Sequence, residues 1–329
     1  MTDVVIAGGT DSVGVRLLGH FTARGRSVVS LGDHVGADVP WADRSGVRRA
    51  IDGARIVVAV GGSSYVTRFT DPQRDEILRT RVRTTRMVRD AIRQATRPPS
   101  LWINLSSARI YPAVLDHPRT ERDEITRGSF TEDVAAHVER TLFEYDVPHT
   151  RRVALRTAVL IGDTPAASLL FRLTRLGLGG TLRDGWWPAH SRYRNLETAV
   201  GTMAARAPSR RAPTHGRQKF SWVHVDDVVR AIEFVEKDPQ LVGPVNVVAP
   251  VAVANAELMR TLRRVTGTRI GVPLPRLVLE PVMRAVDAES ELVLRSRWVA
   301  PSRLLDRGFE FAYPMIEPAL RDAWHRLRS

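Results

Sequence analysis

The sequence predicts an α/β protein: a Rossmann-type, doubly wound parallel sheet followed by a smaller, discontinuous α/β lobe. Three observations predict it. Short β-branched apolar runs alternate with longer amphipathic ones through the first half of the chain. The first run, Val4–Ala7, leads directly into a glycine-rich turn and then a helical pattern. Beyond about residue 160 the alternation loosens and the elements become irregularly spaced.

Taken in order, Val4–Ala7, Ser27–Leu31, Arg55–Val60, Leu101–Leu105 and His149–Arg156 read as strands. The first four are short, β-branched and followed by Gly, Ser or Asp, as buried parallel strands should be. Between them, Val13–Ala23, Asp71–Ala95 and Phe130–Tyr145 carry helical spacing; Ile77, Val82, Val88 and Ile92 fall largely on one stripe. In the second half, Ala166–Leu176, Asp226–Glu236, Asn255–Val265 and Ile316–Leu327 read as helices, and Val245–Val248 as a short strand. Asp226 or Asp227 is placed to cap its helix, and Gly267 to close the next. The domain reading is a nucleotide-binding unit over residues 1–160 and a substrate lobe over 161–329 that returns segments to the core, with a lid-like insertion at 183–215.

The turn after the first strand is Gly8-Gly9-Thr10-Asp11-Ser12-Val13-Gly14. Glycines there permit a tight turn, and the helix that follows offers unpaired N–H groups to a pyrophosphate. Gly61, after the Arg55–Val60 strand, belongs to the same cofactor-binding set. Asp33, just past the Ser27–Leu31 strand, can accept hydrogen bonds from a ribose diol and would repel a 2′-phosphate, so NAD is preferred to NADP. An Asp33 that simply sits in a solvated turn is the competing reading.

The residues after the Leu101–Leu105 strand are the catalytic candidates. Ser106 can hydrogen-bond a substrate oxygen, Tyr111 can donate a proton, and Arg109 lies near enough in sequence to depress the tyrosine pKa. Ser107 joins the substrate set. The alternative is that both serines cap the strand end and Tyr111 packs against the second lobe. His224, within Phe220-Ser-Trp-Val-His-Val-Asp-Asp227, is a further substrate candidate, though a buried structural histidine is favoured. Trp186, Trp187, Arg192 and Tyr193 in the insertion suit a planar or anionic small molecule. The last part of the insertion, Pro208–His215, reads as disordered, and Leu196–Ala205 as a short helix. No His/Asp/Glu spacing suggests a metal.

Several matches run nearly end to end. Phe69-Thr70, Ile77, Thr80-Arg81-Val82 and Thr85-Arg86 are among them, as are Ser106 and Tyr111, Leu155-Arg156-Thr157 and Leu176-Gly-Leu-Gly-Gly180. So are the Phe220–Asp227 run, Gly243-Pro-Val-Asn246, Asn255-Ala-Glu257, and the ending Pro301, Arg303-Leu304, Gly308-Phe309 and Tyr313-Pro314. In these the chain resembles the atypical extended short-chain dehydrogenase/reductases of an NAD-dependent epimerase-like family with its own C-terminal domain. The resemblance implies a nicotinamide cofactor and a substrate lobe; it also implies a basic residue and NADP where this chain has Asp33. Two departures bear on function. Where the resembled family has a third phosphate-loop glycine, this chain has Asp11, whose charge near a pyrophosphate costs on the order of a few kcal/mol if it points inward. Dinucleotide binding is then either weakened or lost; an Asp11 turned outward would preserve it.

The second departure concerns the proton relay. Reductases of this superfamily commonly use Tyr-x-x-x-Lys on one helix. No such pair occurs here, and the first 218 residues contain no lysine. Thr131 and Ala135 occupy those two positions of the Phe130–Tyr145 helix. Two function classes follow: an NAD(P)-linked oxidoreductase or epimerase with a non-standard site, or a non-redox isomerase, cyclase, dehydratase or ligand-binding protein on the same scaffold.

Composition narrows the partners. The net charge of +13 comes from 49 basic and 36 acidic residues, and only Lys219 and Lys237 among the 49 are lysine. The arginines are spread along the chain and mixed with acids, unlike a nucleic-acid-binding block. No apolar run is long enough to span a bilayer, and the MTDVVIAGG start lacks a secretion-signal pattern. A soluble cytoplasmic monomer or homodimer with a small-molecule substrate is expected, with neither nucleic acid nor membrane as partner. The absence of cysteine excludes disulfides, thiolate metal sites and a cysteine nucleophile.

Overall fold

A computed structural model describes residues 2–8, 12–61, 65–125, 129–184 and 214–328. Its centre is a six-stranded sheet of β1 (Val4–Ala7), β2 (Val28–Leu31), β3 (Ile56–Ala59), β4 (Leu101–Ser107), β5 (Arg151–Thr157) and β10 (Gly243–Val247), in the order β10-β5-β4-β3-β1-β2. Every pairing in it is parallel. Strand polarity and order therefore match the doubly wound expectation, and the sheet's topological switch point falls between β1 and β3.

The strands' apolar side chains alternate between two cores. Val4, Ile6, Ile56 and Val58 pack on one face with α1 (Ser12–Ala23) and α6 (Val225–Lys237). Val5, Ala7, Val57 and Ala59 pack on the other with α2 (Arg44–Ile51) and α3 (Asp71–Arg93). This two-residue period with both faces covered is why the strands read as unbroken apolar runs. Helix α2 was not legible from periodicity. It has only eight residues and rests on a cap, the Asp43 carboxylate accepting from the Gly46 N–H at 2.8 Å, and on a short apolar face of Val47, Ala50 and Ile51.

Helix α4 (Phe130–Phe143) begins at a reciprocal capping box between Ser129 and Glu132. It is buried continuously from Phe130 to Glu139, wedged between α3 and the sheet. After β5, the chain forms β6 (Val159–Ile161), α5 (Pro165–Leu173), β7 (Leu182–Arg183), β8 (Lys219–Phe220) and β9 (Trp222–His224). The expected helix Ala166–Leu176 stops at Leu173 because Gly177, at φ 79°, breaks the winding in the next turn. The chain then returns through α6 and β10 to the sheet edge, and ends in β11 (Val253–Ala254), α7 (Asn255–Thr266), β12 (Leu274–Pro275), α8 (Arg276–Ala285), α9 (Glu291–Leu294), α10 (Ser302–Asp306) and α11 (Ile316–Arg326). A second core of Phe171, Trp222, Met259, Leu262 and Leu320 holds this lobe together. No helix among the described residues is long and apolar enough to cross a membrane.

Candidate functional site

The carboxyl ends of β1 and β3 meet at two glycines. Gly8 has φ +89°, and a Cβ built on it would lie 2.3 Å from the Gly61 Cα. A Cβ on Gly61 would in turn lie 3.1 Å from Thr84 Cγ2 and 3.3 Å from the Gly8 Cα. The Gly8 N–H donates to the Leu31 carbonyl at 2.8 Å, so the turn is tied to β2 as well. Only glycine fits at Gly8, and it fits there at the switch-point crevice. Helix α1 starts at Ser12, with Val13 and Gly14 buried, and the Ser12 hydroxyl donates to the Asp163 carbonyl at 3.2 Å. Gly9, Thr10 and Asp11 lie outside the described residues. Asp33 is exposed just past β2, and its Oδ1 accepts the Trp41 N–H at 3.0 Å. That bond fixes the carboxylate without using its second oxygen.

The catalytic candidates occupy a different environment from the one expected. Ser106 and Ser107 are the last two residues of β4 rather than residues beyond it. Ser107 caps the short 3-10 turn Ala108–Ile110, its hydroxyl accepting the Arg109 N–H at 3.2 Å. The Ser106 hydroxyl donates to Glu139 Oε1 at 2.6 Å. Glu139 also receives both edges of the Arg156 guanidinium, Nε at 2.9 Å and Nη2 at 2.7 Å. Arg156 Nη1 donates to the Tyr111 hydroxyl at 2.6 Å, and that hydroxyl donates to Asn246 Oδ1 at 3.0 Å. Asn246 closes the chain by donating its Nδ2 to the Ala300 carbonyl at 2.9 Å and its N–H to Glu121 Oε1 at 2.8 Å.

This network stands against a reading of Tyr111 as a proton donor lining an open pocket. The tyrosine is fully buried, packed with Ala108, Ile110, Ala135 and Val299, and its one O–H is already committed to Asn246. Burial pushes its pKa up, against the lowering influence of the nearby cation. That cation is Arg156, with its guanidinium 5.0 Å from the Tyr111 ring centroid, and not Arg109 as the sequence spacing suggested. Burial alone would lower the Arg156 pKa, but its bonds to Glu139 outweigh this and hold it up. Thr131 and Ala135, at the places of the usual tyrosine and lysine, are buried.

Sequence reasoning missed Glu139 and Arg156 as site residues. Their signal was present: a glutamate directly after Val138 in α4, and an arginine directly after the apolar run Val153-Ala154-Leu155 of β5. Charges in such places are paired or costly.

His224 is also fully buried. Its Nδ1 accepts the Asp226 N–H at 3.3 Å as the cap of α6, its Nε2 faces Asp322 Oδ2 at 3.0 Å, and its ring stacks on Tyr313 at 3.8 Å. Burial is the largest cause of its lowered pKa. The cap is thus His224 and not Asp226 or Asp227, and a substrate contact by this side chain is not available. His224, Asp226 and Asp322 are close enough together to suggest a metal. Arg16 and Arg326 already bind Asp226, and Arg326 binds Asp322, so guanidinium groups supply the positive charge there.

Arg109 is half-buried, its pKa lowered by burial, and lines a cleft of about 20 Å³ with Lys219, Arg295 and Arg297. Larger surface clefts exist, including one of about 480 Å³ beside Phe171, Arg175 and Trp324, but none of the sequence-predicted residues lines it. Trp186, Trp187, Arg192 and Tyr193 lie outside the described residues, as does the expected helix Leu196–Ala205. The residues flanking that segment are bonded to each other: the Asp184 N–H donates to Thr214 Oγ1 at 3.2 Å and the Thr214 N–H to the Asp184 carbonyl at 3.4 Å.

Residues 274–323 match a domain of unknown function, DUF1731. The chain is similar to the epimerase family protein YfhF of Bacillus subtilis, at 25% identity over 97% of this chain and 96% of the relative. It is similar to the human epimerase family protein SDR39U1 at 25% identity, over 97% of this chain and 98% of that one. In fold it is similar to the crystal structure of human SDR39U1 (isoform 2) with NADPH, with a TM-score of 0.79 and 24% identity over 98% of this chain and 99% of the other. It also resembles the Thermus thermophilus UDP-glucose 4-epimerase complex with NAD, with a TM-score of 0.72 and 17% identity over 99% of each chain.

Proposed function

We propose that this chain, an atypical epimerase-like short-chain dehydrogenase/reductase with a C-terminal domain of unknown function, binds a nicotinamide dinucleotide and acts on a small substrate. The substrate would lie between the sheet's carboxyl edge and the second lobe. The observation that carries the reading is the glycine pair at the switch point: Gly8 and Gly61 bring two strand exits into contact directly before α1. Gly8 and the start of α1 would hold the pyrophosphate, and the free oxygen of Asp33 would accept from a ribose hydroxyl. When bound, the nicotinamide supplies hydride transfer. The relatives' names point to epimerase-like chemistry, and the fold neighbours hold NADPH or NAD.

The charge of Asp33 supports NAD(H) over NADP(H). Calorimetric titration of NADH and NADPH, with and without Asp11→Gly, tests this. The reading expects NADH to bind more tightly than NADPH, and Asp11→Gly to strengthen binding if the pyrophosphate lies at the α1 N-terminus. NADPH binding tighter than NADH would overturn the cofactor choice, and binding of neither would overturn the dinucleotide site. A second reading, non-redox chemistry on the same scaffold, is favoured by one observation: the Tyr111 hydroxyl is sealed in protein and the usual relay positions hold Thr131 and Ala135. Positioning would then carry the catalysis.

A further inference from the structure

The cleft around Arg109 has an unusual charge balance. Arg109 follows β4, Lys219 starts β8, and Arg295 and Arg297 lie on the segment that runs beside β8, where the Arg297 N–H donates to the Lys219 carbonyl at 2.7 Å. Two carboxylates face these four cations. Glu132 Oε1 lies 3.1 Å from Arg295 Nη2 and 3.2 Å from Arg297 Nη2, while its other oxygen accepts the Ser129 N–H of the capping box at 3.1 Å. Glu291 acts on Arg109 through space. Arg297 is only 8% exposed, and burial together with Arg295 pushes its pKa down to about 9, so it is still a cation at neutral pH.

The donors are underused as well as the charge. Arg295 Nε and Nη1 and Arg297 Nε are buried without a hydrogen-bond partner among the described residues. No hydrogen bond joins the Arg109 guanidinium to any described residue, while Lys219 Nζ sits 4.7 Å from the centroid of the Trp298 ring. Unpaired buried guanidinium donors are costly, and each requires an explanation. The planar, many-donor guanidinium is the group best matched to a carboxylate or phosphate.

We propose that this cleft is an anion subsite, in which Arg109, Arg295, Arg297 and Lys219 take the carboxylate or phosphate end of a substrate. At about 20 Å³ the cavity accepts the tip of such a group and not a whole ring, so the body of the ligand lies outside it. The proposal rests on the reading that substrate binds at the sheet's carboxyl edge, but not on the identity of the cofactor.

The test is calorimetric titration of the full chain with inorganic phosphate, pyrophosphate and malonate at constant ionic strength, with chloride as the reference anion. At least one probe should bind more tightly than chloride. Arg109→Gln should weaken it about 10–100-fold, the range for a lost charge-assisted hydrogen bond. Arg140→Gln, at an exposed arginine on α4, should leave it unchanged. A preference for phosphate or for malonate tells the two ligand sources apart. Arg295→Gln repeats the measurement at a second donor, and because the Arg109 guanidinium has no hydrogen-bond partner to lose among the described residues, its variant reports even if Arg295→Gln fails to fold. NADH titrated into the same samples separates the two readings. Anion binding lost in Arg109→Gln with NADH binding intact supports a separate subsite, as does anion binding in a chain that binds no dinucleotide. Three results overturn it: no probe binding more tightly than chloride, equal weakening by Arg140→Gln, or loss of NADH and anion by the same factor in Arg109→Gln.

Discussion

Tyr111→Phe separates a structural from a catalytic role most directly. The substitution removes one hydroxyl and leaves the ring in place. In the native structure that hydroxyl accepts from Arg156 Nη1 at 2.6 Å and donates to Asn246 Oδ1 at 3.0 Å, with Tyr111 and Asn246 fully buried and Arg156 4% exposed. Its removal leaves a guanidinium N–H and an amide carbonyl with no replacement partner on this side. A stranded buried group costs about 1–3 kcal/mol, with the charged one at the upper end. The pair therefore predicts a loss of about 2–4 kcal/mol, relieved in part if the amide relaxes. Urea unfolding followed by far-ultraviolet circular dichroism measures it; the midpoint should fall with the slope unchanged. Dinucleotide binding by the folded variant should stay within about 3-fold, since Tyr111 is remote in role from the glycine turn. A loss under about 0.5 kcal/mol would refute the network's account of Tyr111. It would return this residue to the proton-donor role, in which turnover falls about 10²–10⁴-fold with stability intact.

Glu139→Gln should cost more, about 3–5 kcal/mol in the same unfolding experiment, because it strands the buried Arg156 cation. Glu121 offers a pH-dependent test. Burial raises its pKa, so the ionised form is disfavoured in the folded state and its contribution to stability falls as pH rises above its unfolded value. Glu121→Gln should therefore stabilise the protein at pH 8, with the gain shrinking toward pH 4; a gain independent of pH would exclude this cause. Gly8→Ala should destabilise by roughly 2–4 kcal/mol, from positive φ and the close Gly61 backbone, and lower dinucleotide affinity in calorimetry. An unchanged melting temperature would mean that the two strand exits are not held together as described.

The sheet was legible because both its faces are covered: β1 and β3 are short runs of apolar residues and β4 opens on Leu101, Trp102 and Ile103, which no surface segment could carry. Of the glycine turn, Gly8 lies among the described residues, where its positive φ against the Gly61 backbone is a geometry that only glycine suits. What escaped was decided by partners distant in sequence. Nothing around Tyr111 announces Asn246 or Arg156, which reach it from β10 and β5, so a chain-local reading gave its nearest cation as Arg109. His224 carries a capping role that depends on a histidine nitrogen acting as acceptor, which the usual cap residues make easy to overlook. Arg295 and Arg297 carried no motif; they matter because a bridge to Phe220 brings their segment beside β8.

The capping box of α4 joins these results. Glu132 is at once the third residue of that cap and the sole carboxylate in direct contact with Arg295 and Arg297 among the described residues. Its Oε2 is fixed by the Ser129 N–H, so Oε1 cannot swing to neutralise Arg109 or Lys219 without breaking the helix start. One turn and more further along the same helix, Ala135 packs on the Tyr111 cluster and Glu139 locks Arg156. Helix α4, which in the resembled reductases carries the proton relay, here holds a sealed network at one end and an under-neutralised guanidinium pair at the other. An enzyme built this way would draw on electrostatic positioning of an anion more than on a tyrosine proton. If so, Glu132→Gln should tighten phosphate binding in the Arg109 cleft by removing the competing charge, even as it weakens the cap by about 1 kcal/mol. Weaker phosphate binding in that variant, at equal folded fraction, would mean that Glu132 orients the arginines more than it competes for them, and that the cleft's positive charge is not its working feature.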